Sequence, residues 1–125
     1  MQANKQLVDS ELIWRVNIDG FVRDLVKFRG SLLNRGWNYV ATTHTSGAQR
    51  MYVNGKLIGS NNVIGNVASP PSGITLAASG QISGLKKDRT YYFEGKIGII
   101  RIYNRTLNVT EVAKNFNRER GRFGV

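Results

Sequence analysis

Residues 93–116 read Phe93-Glu94-Gly95-Lys96-Ile97-Gly98-Ile99-Ile100-Arg101-Ile102-Tyr103-Asn104-Arg105-Thr106-Leu107-Asn108-Val109-Thr110-Glu111-Val112-Ala113-Lys114-Asn115-Phe116. Inside this stretch the hydrophobic period changes from 2 to 3.6. Phe93, Gly95, Ile97, Ile99, Arg101 and Tyr103 alternate with Glu94, Lys96, Gly98, Ile100 and Ile102. Both sets are apolar near the middle, which predicts a long central strand over 90–104, covered on both faces. Gly95 and Gly98 mark a bulge or a close backbone approach. After Leu107, the residues Val109, Val112, Ala113 and Phe116 stand at i, i+3, i+4 and i+7, one face of a helix. Asn108 can cap that helix, and Glu111 stands where a capping-box carboxylate reaches back. The spacing predicts one short helix near 109–118, with Gly121 as its stop. So short a helix is not stable alone, and its apolar face must dock on the sheet.

The chain before this stretch reads as strands and tight turns. In 11–18, Leu12, Trp14, Val16 and Ile18 alternate with Glu11, Ile13, Arg15 and Asn17, and only Ile13 breaks the pattern of a half-buried strand. Asp19-Gly20 is a hairpin dipeptide, and 21–28 returns as a second, less regular strand. Trp37, Tyr39, Ala41 and Thr43 share one face of a third strand. Asn54-Gly55 is the strongest hairpin signal in the sequence, so 37–59 reads as a three-stranded meander. Residues 57–85 carry no charge. They read as ordered loops around a strand at 74–78, with a neutral surface that can lie against another chain. Residues 1–10 and 119–125 read as extended tails.

At 125 residues the chain is long enough for one domain with a modest core. Glycine-punctuated short apolar runs, with 14 glycines and 2 prolines, favour an all-β antiparallel class. The absence of cysteine excludes a disulfide framework and a thiolate metal site. No apolar run approaches the length of a membrane-spanning helix. The first ten residues lack the apolar core of a signal peptide, so the expected location is intracellular or within a virion. The net charge of +10 fits either a basic surface facing an acidic neighbour or a polyanion ligand.

Three motifs together carry a family resemblance. Trp37-Asn38-Tyr39-Val40-Ala41-Thr42-Thr43 resembles the W-x-x-V-A-x-T strand of laminin-G-like domains in the concanavalin A-like lectin/glucanase superfamily. Met51-Tyr52-Val53-Asn54-Gly55-Lys56-Leu57-Ile58 resembles that family's Y-V-N-G hairpin. Residues 93–107 resemble its closing F-x-G-x-I-x-x-V-R-I-Y-N-R-x-L strand, and 108–112 its S-x-x-E-I helix start. The motifs come in family order and cover 37–116. The resemblance implies a jelly-roll β-sandwich of two antiparallel sheets. Family domains are usually longer, so the chain resembles their C-terminal two-thirds. A trimmed sandwich, strands from a partner chain and a piece of a larger protein all remain open. Position 98, often Asp in the family, is Gly here.

Catalytic chemistry is sparse. The superfamily includes glycoside hydrolases, and retaining hydrolysis needs two carboxyl groups about 5 Å apart. The eight acids are Asp9, Glu11, Asp19, Asp24, Asp88, Glu94, Glu111 and Glu119, and no two share a strand face at i, i+2. The chain therefore reads as a non-enzyme. The resemblance also raises calcium, which needs clustered oxygen ligands. Only Asp19 and Asp24 share a hairpin, so the carboxylate pattern does not support a cofactor. His44, the single histidine, has no second His or Cys to build a zinc site. The formal sequons at 104–106 and 108–110 read as coincidental.

Three functions follow as expectations. The first is a non-enzymatic module that recognises or cements a protein or glycan surface in a larger assembly, such as a minor structural component of a capsid or virion. The second is a carbohydrate-binding lectin domain, with Tyr91, Tyr92, Asn61 and Asn62 as the glycan platform at the loop end of the sandwich. The third is binding of nucleic acid or acidic glycan through the basic ends. There Lys86, Lys87, Arg89, Arg118, Arg120 and Arg122 supply contacts to phosphates or to a partner, without sequence-specific readout.

Overall fold

A computed structural model describes residues 11–29, 36–68, 78–80, 90–92 and 95–125. The strands are β1 (Glu11–Ile18), β2 (Phe21–Arg29), β3 (Val40–Thr45), β4 (Ala48–Val53), β5 (Lys56–Asn61), β6 (Ala78–Gly80) and β7 (Thr90–Tyr92). One helix follows, α1 (Val109–Phe123). All strand pairings are antiparallel. The chain divides into two compact units: residues up to 68 with 103–125, and residues 69–102.

In the first unit the Asx-Gly dipeptides make the turns expected of them. Asp19 and Gly20 have φ of 51° and 88°, and Asn54 and Gly55 have 50° and 79°. Positive φ at both central positions matches the right-handed twist of the flanking strands. β1 and β2 pair from Glu11↔Arg29 to Ile18↔Phe21, with a register shift between Trp14 and Arg15. The shift leaves Leu25 as an extra residue on β2. A bulge lets two successive residues turn inward, and Leu25 and Val26 are both buried. This accounts for the irregular pattern of the second strand. β3, β4 and β5 form the expected meander, with a second shift beside Met51 that makes Ile58 the extra residue.

The meander is the middle of three layers. On one side Met51 packs with Ile18, Leu25 and Val26, and Leu12, Trp14, Val16, Ile58 and Val63 surround this core. The inward face of β1 is thus the alternating set that the sequence predicts, while Ile13 is exposed. The layers approach closely at Gly59, where a Cβ would lie 2.7 Å from Val26 Cγ1. The Asn61 amide also donates across the layers to the Leu25 carbonyl at 2.9 Å. On the other side Tyr52 packs with Leu107 and Val112 of the helical layer, flanked by Tyr39 and Ala41. The helix docks on the sheet, as its period requires.

The most deeply buried polar side chain, Gln49, is satisfied. Gln49 is fully buried. Its Nε2 donates to the Thr45 carbonyl at 2.9 Å and the Val63 carbonyl at 2.8 Å, and its Oε1 accepts from the Val63 N–H at 2.9 Å. One side chain therefore fixes the segment after β5 onto β4. That segment then extends the β1–β2 sheet on its β1 edge through the Ile18↔Val67 bridge.

Two expectations are corrected. Residues 119–123 are not an extended tail but the last turns of α1. The helix ends at Gly124, in the left-handed conformation at φ 70°, and not at Gly121. The tail at 1–10 lies outside the described residues. Of the expected 90–104 strand, Thr90–Tyr92 forms β7, paired as Ala78↔Tyr92, Ser79↔Tyr91 and Gly80↔Thr90, and residues 93–94 lie outside the described residues. Residues 95–102 carry no strand, and Ile97, Ile100 and Ile102 are exposed. Two glycines in this run weaken a strand, and no neighbouring strand pairs with it among the described residues. The expected strand at 74–78 lies outside the described residues except for Ala78, which opens β6. The architecture is the expected antiparallel β class with one C-terminal helix.

Replacing Gln49 by Leu keeps the volume and removes three hydrogen bonds. Unsatisfied buried groups cost about 1–3 kcal/mol each. The expected result is a loss of roughly 3 kcal/mol, read as a lower urea midpoint at unchanged slope. A second expectation concerns acid. Asp24 accepts from Arg15 Nε at 2.5 Å and pairs with Lys27 Nζ at 3.1 Å. Hydrogen bonds from Arg15 and then Lys27 hold its carboxyl at about 2, below the ordinary 3.8. A depressed folded value stabilises above the unfolded one and is lost as pH falls through the folded one. The stability of the wild type should therefore drop more between pH 4 and pH 2 than that of Asp24→Asn, measured by urea midpoints across the range.

Candidate functional site

The helix that carries the basic C-terminal residues is fixed at its start by a four-part clamp. The Asn108 side chain accepts from the Glu111 N–H at 2.9 Å, and the Glu111 carboxylate accepts from the Asn108 N–H at 2.9 Å. Together they form the expected capping box. Arg105 adds a fork, with Nη1 and Nη2 each donating to a Glu111 oxygen at 2.9 Å. These bonds, from Arg105 first and then the Asn108 backbone, hold the Glu111 carboxyl below its usual range. The same pairing raises Arg105. Thr106, next to Arg105, donates to the His44 carbonyl and shares a 2.7 Å hydrogen bond with Thr45, which ties the helix entry to β3.

Two aromatic ladders fix the rest of α1. The Arg120 guanidinium lies 5.1 Å from the Phe116 ring centre, and Phe116 packs on Tyr39 with centroids 5.7 Å apart. Arg122 lies 5.3 Å from the Phe123 ring centre, and Phe123 packs on Trp37 at 4.8 Å. Arg120 also donates from Nε to the Val125 carbonyl at 2.9 Å. Phe116 reaches the sheet because position 55 has no side chain. A Cβ on Gly55 would sit 2.7 Å from Phe116 Cδ1.

Helical geometry sorts the expected basic residues. Arg118 and Arg122 are four apart and share a stripe with Lys114, and all three are exposed. Arg120 lies roughly 160° round the helix from Arg118 and is held over Phe116. The structure therefore brings together Lys114, Arg118 and Arg122. Lys114 lies within the expected 109–118 helix but was not joined to the basic residues after it, and carrying the 3.6 period on to 122 would have shown the shared stripe. Lys86, Lys87 and Arg89 lie outside the described residues.

The expected glycan platform is placed only in part. Tyr91 and Tyr92 belong to β7, and their side chains lie outside the described set. Asn61 is engaged at both ends of its amide, donating to Leu25 and accepting from the Asn62 N–H at 2.8 Å. Asn62 is exposed. Tyr103, at the end of the run expected to be covered on both faces, is exposed, and its hydroxyl accepts from Asn115 Nδ2 at 3.2 Å.

The acids whose side chains are described are engaged in structural contacts. The two cations beside the Asp24 carboxylate leave it poorly suited to a metal ion. Asp19 accepts from the Asn66 N–H at 3.4 Å, and no cluster of three His, Cys, Asp or Glu side chains occurs among the described residues. His44 has a buried Nδ1 with no hydrogen-bond partner among the described residues.

A second surface lies at the β1–β2 turn. Phe21 and Val67 flank Ile18 on adjacent strands, and Val22 pairs with Asn17 on the other face of the hairpin. Ile64 sits between Val63, bound to Gln49, and Gly65, whose N–H donates to Ser46 Oγ at 3.0 Å. Relative exposures are 68% for Phe21, 67% for Val22, 81% for Ile64 and 46% for Val67. Sequence reasoning missed this surface because strand alternation gave no sign that the sandwich ends there.

Comparison with known proteins bears on the fold. The laminin G family model described as the concanavalin A-like lectin/glucanases superfamily matches residues 5–113. Among solved structures, an S-layer domain-containing protein from Clostridium thermocellum (its residues 221–444) superposes with a TM-score of 0.53 at 24% identity. The match covers 86% of this chain and 52% of that one, so the chain spans about half the length of that structure. No curated protein sequence matches the chain.

The ladders predict a ranked response to truncation. Phe116 is buried, and Phe116→Ala should cost about 3 kcal/mol by opening the helix–sheet contact. Phe123 is half-buried, and Phe123→Ala should cost less while red-shifting the emission of Trp37. Chemical denaturation and tryptophan fluorescence check both outcomes.

Proposed function

Because the chain belongs to the concanavalin A-like lectin/glucanases superfamily, we propose that it is a non-enzymatic binding module that cements a protein surface within a larger assembly. The observation that carries this reading is the apolar end of the sandwich. Phe21, Val22, Ile64 and Val67 are all exposed around one turn. Phe21 and Val67 both flank Ile18, and adjacent exposed apolar groups mark interaction sites. The turn presents Phe21 and Val22 to opposite faces, a shape suited to insertion into a groove. Aromatic anchors of this kind supply most of the energy of a protein interface.

The non-enzymatic part of the proposal is supported by two of the described acids, Asp24 and Glu111. A glycosidase needs a carboxylic acid with a raised pKa beside a second carboxylate. Asp24 and Glu111 are both shifted the other way by cations at hydrogen-bond distance. Each has a structural task that accounts for it. We take the assembly to be a virion or comparable particle. A cysteine-free chain needs no oxidising compartment to mature there.

Photo-crosslinking tests the proposal. A crosslinking side chain at position 21 or 64, in the protein within its native particle, should capture a second polypeptide. The same group at exposed Lys56 serves as control. Capture of no polypeptide at 21 or 64, together with binding on a glycan array, would turn the reading to a lectin.

A further inference from the structure

The geometry points to a second binding face, on α1, that takes the phosphate backbone of nucleic acid without reading its bases. It goes beyond the proposed protein contact and uses a different surface. Lys114, Arg118 and Arg122 stand at successive intervals of four residues, so their Cα atoms span about 12 Å along the helix. The outward face from 110 to 122 presents Thr110, Lys114, Asn117, Arg118, Gly121 and Arg122, all exposed. It carries no acid. Of the acids in α1, Glu111 is neutralised by Arg105 and Glu119 is half-buried.

What this face lacks selects its partner. A protein interface needs aromatic or large apolar anchors in its centre. A neutral sugar needs a ring to stack on. None of the six outward residues supplies either. Phosphate contacts need only cations in a row, and they provide most of the affinity in non-specific nucleic-acid binding. Arg122 is also pre-positioned. Its guanidinium lies 5.3 Å from the Phe123 ring centre, a cation–π contact that restricts the side chain while its N–H groups remain donors suited to an oxyanion. The overall charge of +10 steers a polyanion towards the protein from a distance.

Fluorescence anisotropy of the full chain with labelled mixed-sequence DNA, single-stranded and duplex, tests the inference. Three phosphate contacts give a slope of log K against log salt of about −2 for the single strand and about −3 for the duplex. The triple change K114Q/R118Q/R122Q should weaken binding roughly tenfold or more at low salt. K114R/R118K/R122K keeps the charges and should keep the binding. The double change R23Q/R50Q removes two exposed cations elsewhere and should have little effect. The proposal is overturned by undetectable binding at low salt, by a salt-independent affinity, or by an equal loss in R23Q/R50Q. A heparin fragment that binds more tightly than DNA through the same three residues would overturn it in favour of a sulfated glycan. Thermal melts show whether the Gln variant is folded. If it is not, loss of binding in the charge-preserving variant at unchanged melting temperature would overturn the assignment.

Discussion

The contact on which the described C-terminal structure depends is that of Phe116 with Gly55. A helix of 15 residues gains too little from its own hydrogen bonds to persist in water. It needs a docking site, and the site exists because the β4–β5 turn presents a residue without a side chain. Gly55 meets two demands with one residue. The turn needs positive φ there, and the Phe116 ring needs the space that a Cβ would take. Asn54 meets a third. Its Oδ1 accepts from the Tyr39 N–H at 2.9 Å and its Nδ2 donates to Asn38 at 3.1 Å. The turn thereby holds the residues before β3, and Tyr39 is placed beside Phe116. An Asn-Gly pair that looks like a local hairpin signal thus sets how the helix lies on the sheet.

That arrangement decides where charge is left over. Arg15 and Lys27 share the single Asp24 carboxylate, and Arg105 is paired with Glu111. These pairs are exposed, and screening limits what each adds to stability. Their larger effect is on the surface field. Two of the acids that could oppose the basic residues are already committed, so the outer stripe of α1 keeps its charge. Helix orientation, set by apolar contacts on the inner face, therefore determines which cations line up. Arg120 is removed from the row by the same rotation that brings Lys114 into it.

The sequence made some of this legible and hid the rest for definable reasons. Local signals were readable. The Asx-Gly turns, the inward set of β1, the capping box of Asn108 and Glu111, and the amphipathic start of α1 all depend on residues within a few positions of each other. Contacts between distant residues were not. Gln49 looks like any polar strand residue until Val63 is known to pass beside it. Arg105 sits in a strand-like pattern and gives no local hint of pairing with Glu111. The bulge at Leu25 cost the reading of β2 its regularity. The 90–104 run shows the opposite failure. Its alternation is strong, but residues 95–102 meet no pairing strand among the described residues, and periodicity records the side chains without recording the partner. The candidate site was half visible. Arg118 and Arg122 were found from charge alone, their alignment with Lys114 needed the true length of the helix, and the apolar end needed the loop fixed by Gln49.

The two candidate surfaces make different physical demands, and each is met by a different layer. The apolar end is built from a turn and a neighbouring segment, positions that tolerate exposed Phe and Ile because no core packing depends on their side chains. It suits an interaction that excludes water and demands shape. The outer face of α1 is solvated and cationic, and it suits an interaction that is long-ranged and weakened by salt. The middle sheet supports both. Its Met51 side holds the hairpin that carries Phe21, and its Tyr52 side holds the helix that carries the stripe. Consecutive residues of one strand thus point to opposite layers, and this simple property of a β-strand lets a short unit keep the two surfaces on separate supports. A substitution on one outer layer can then alter its own contact while leaving the other in place.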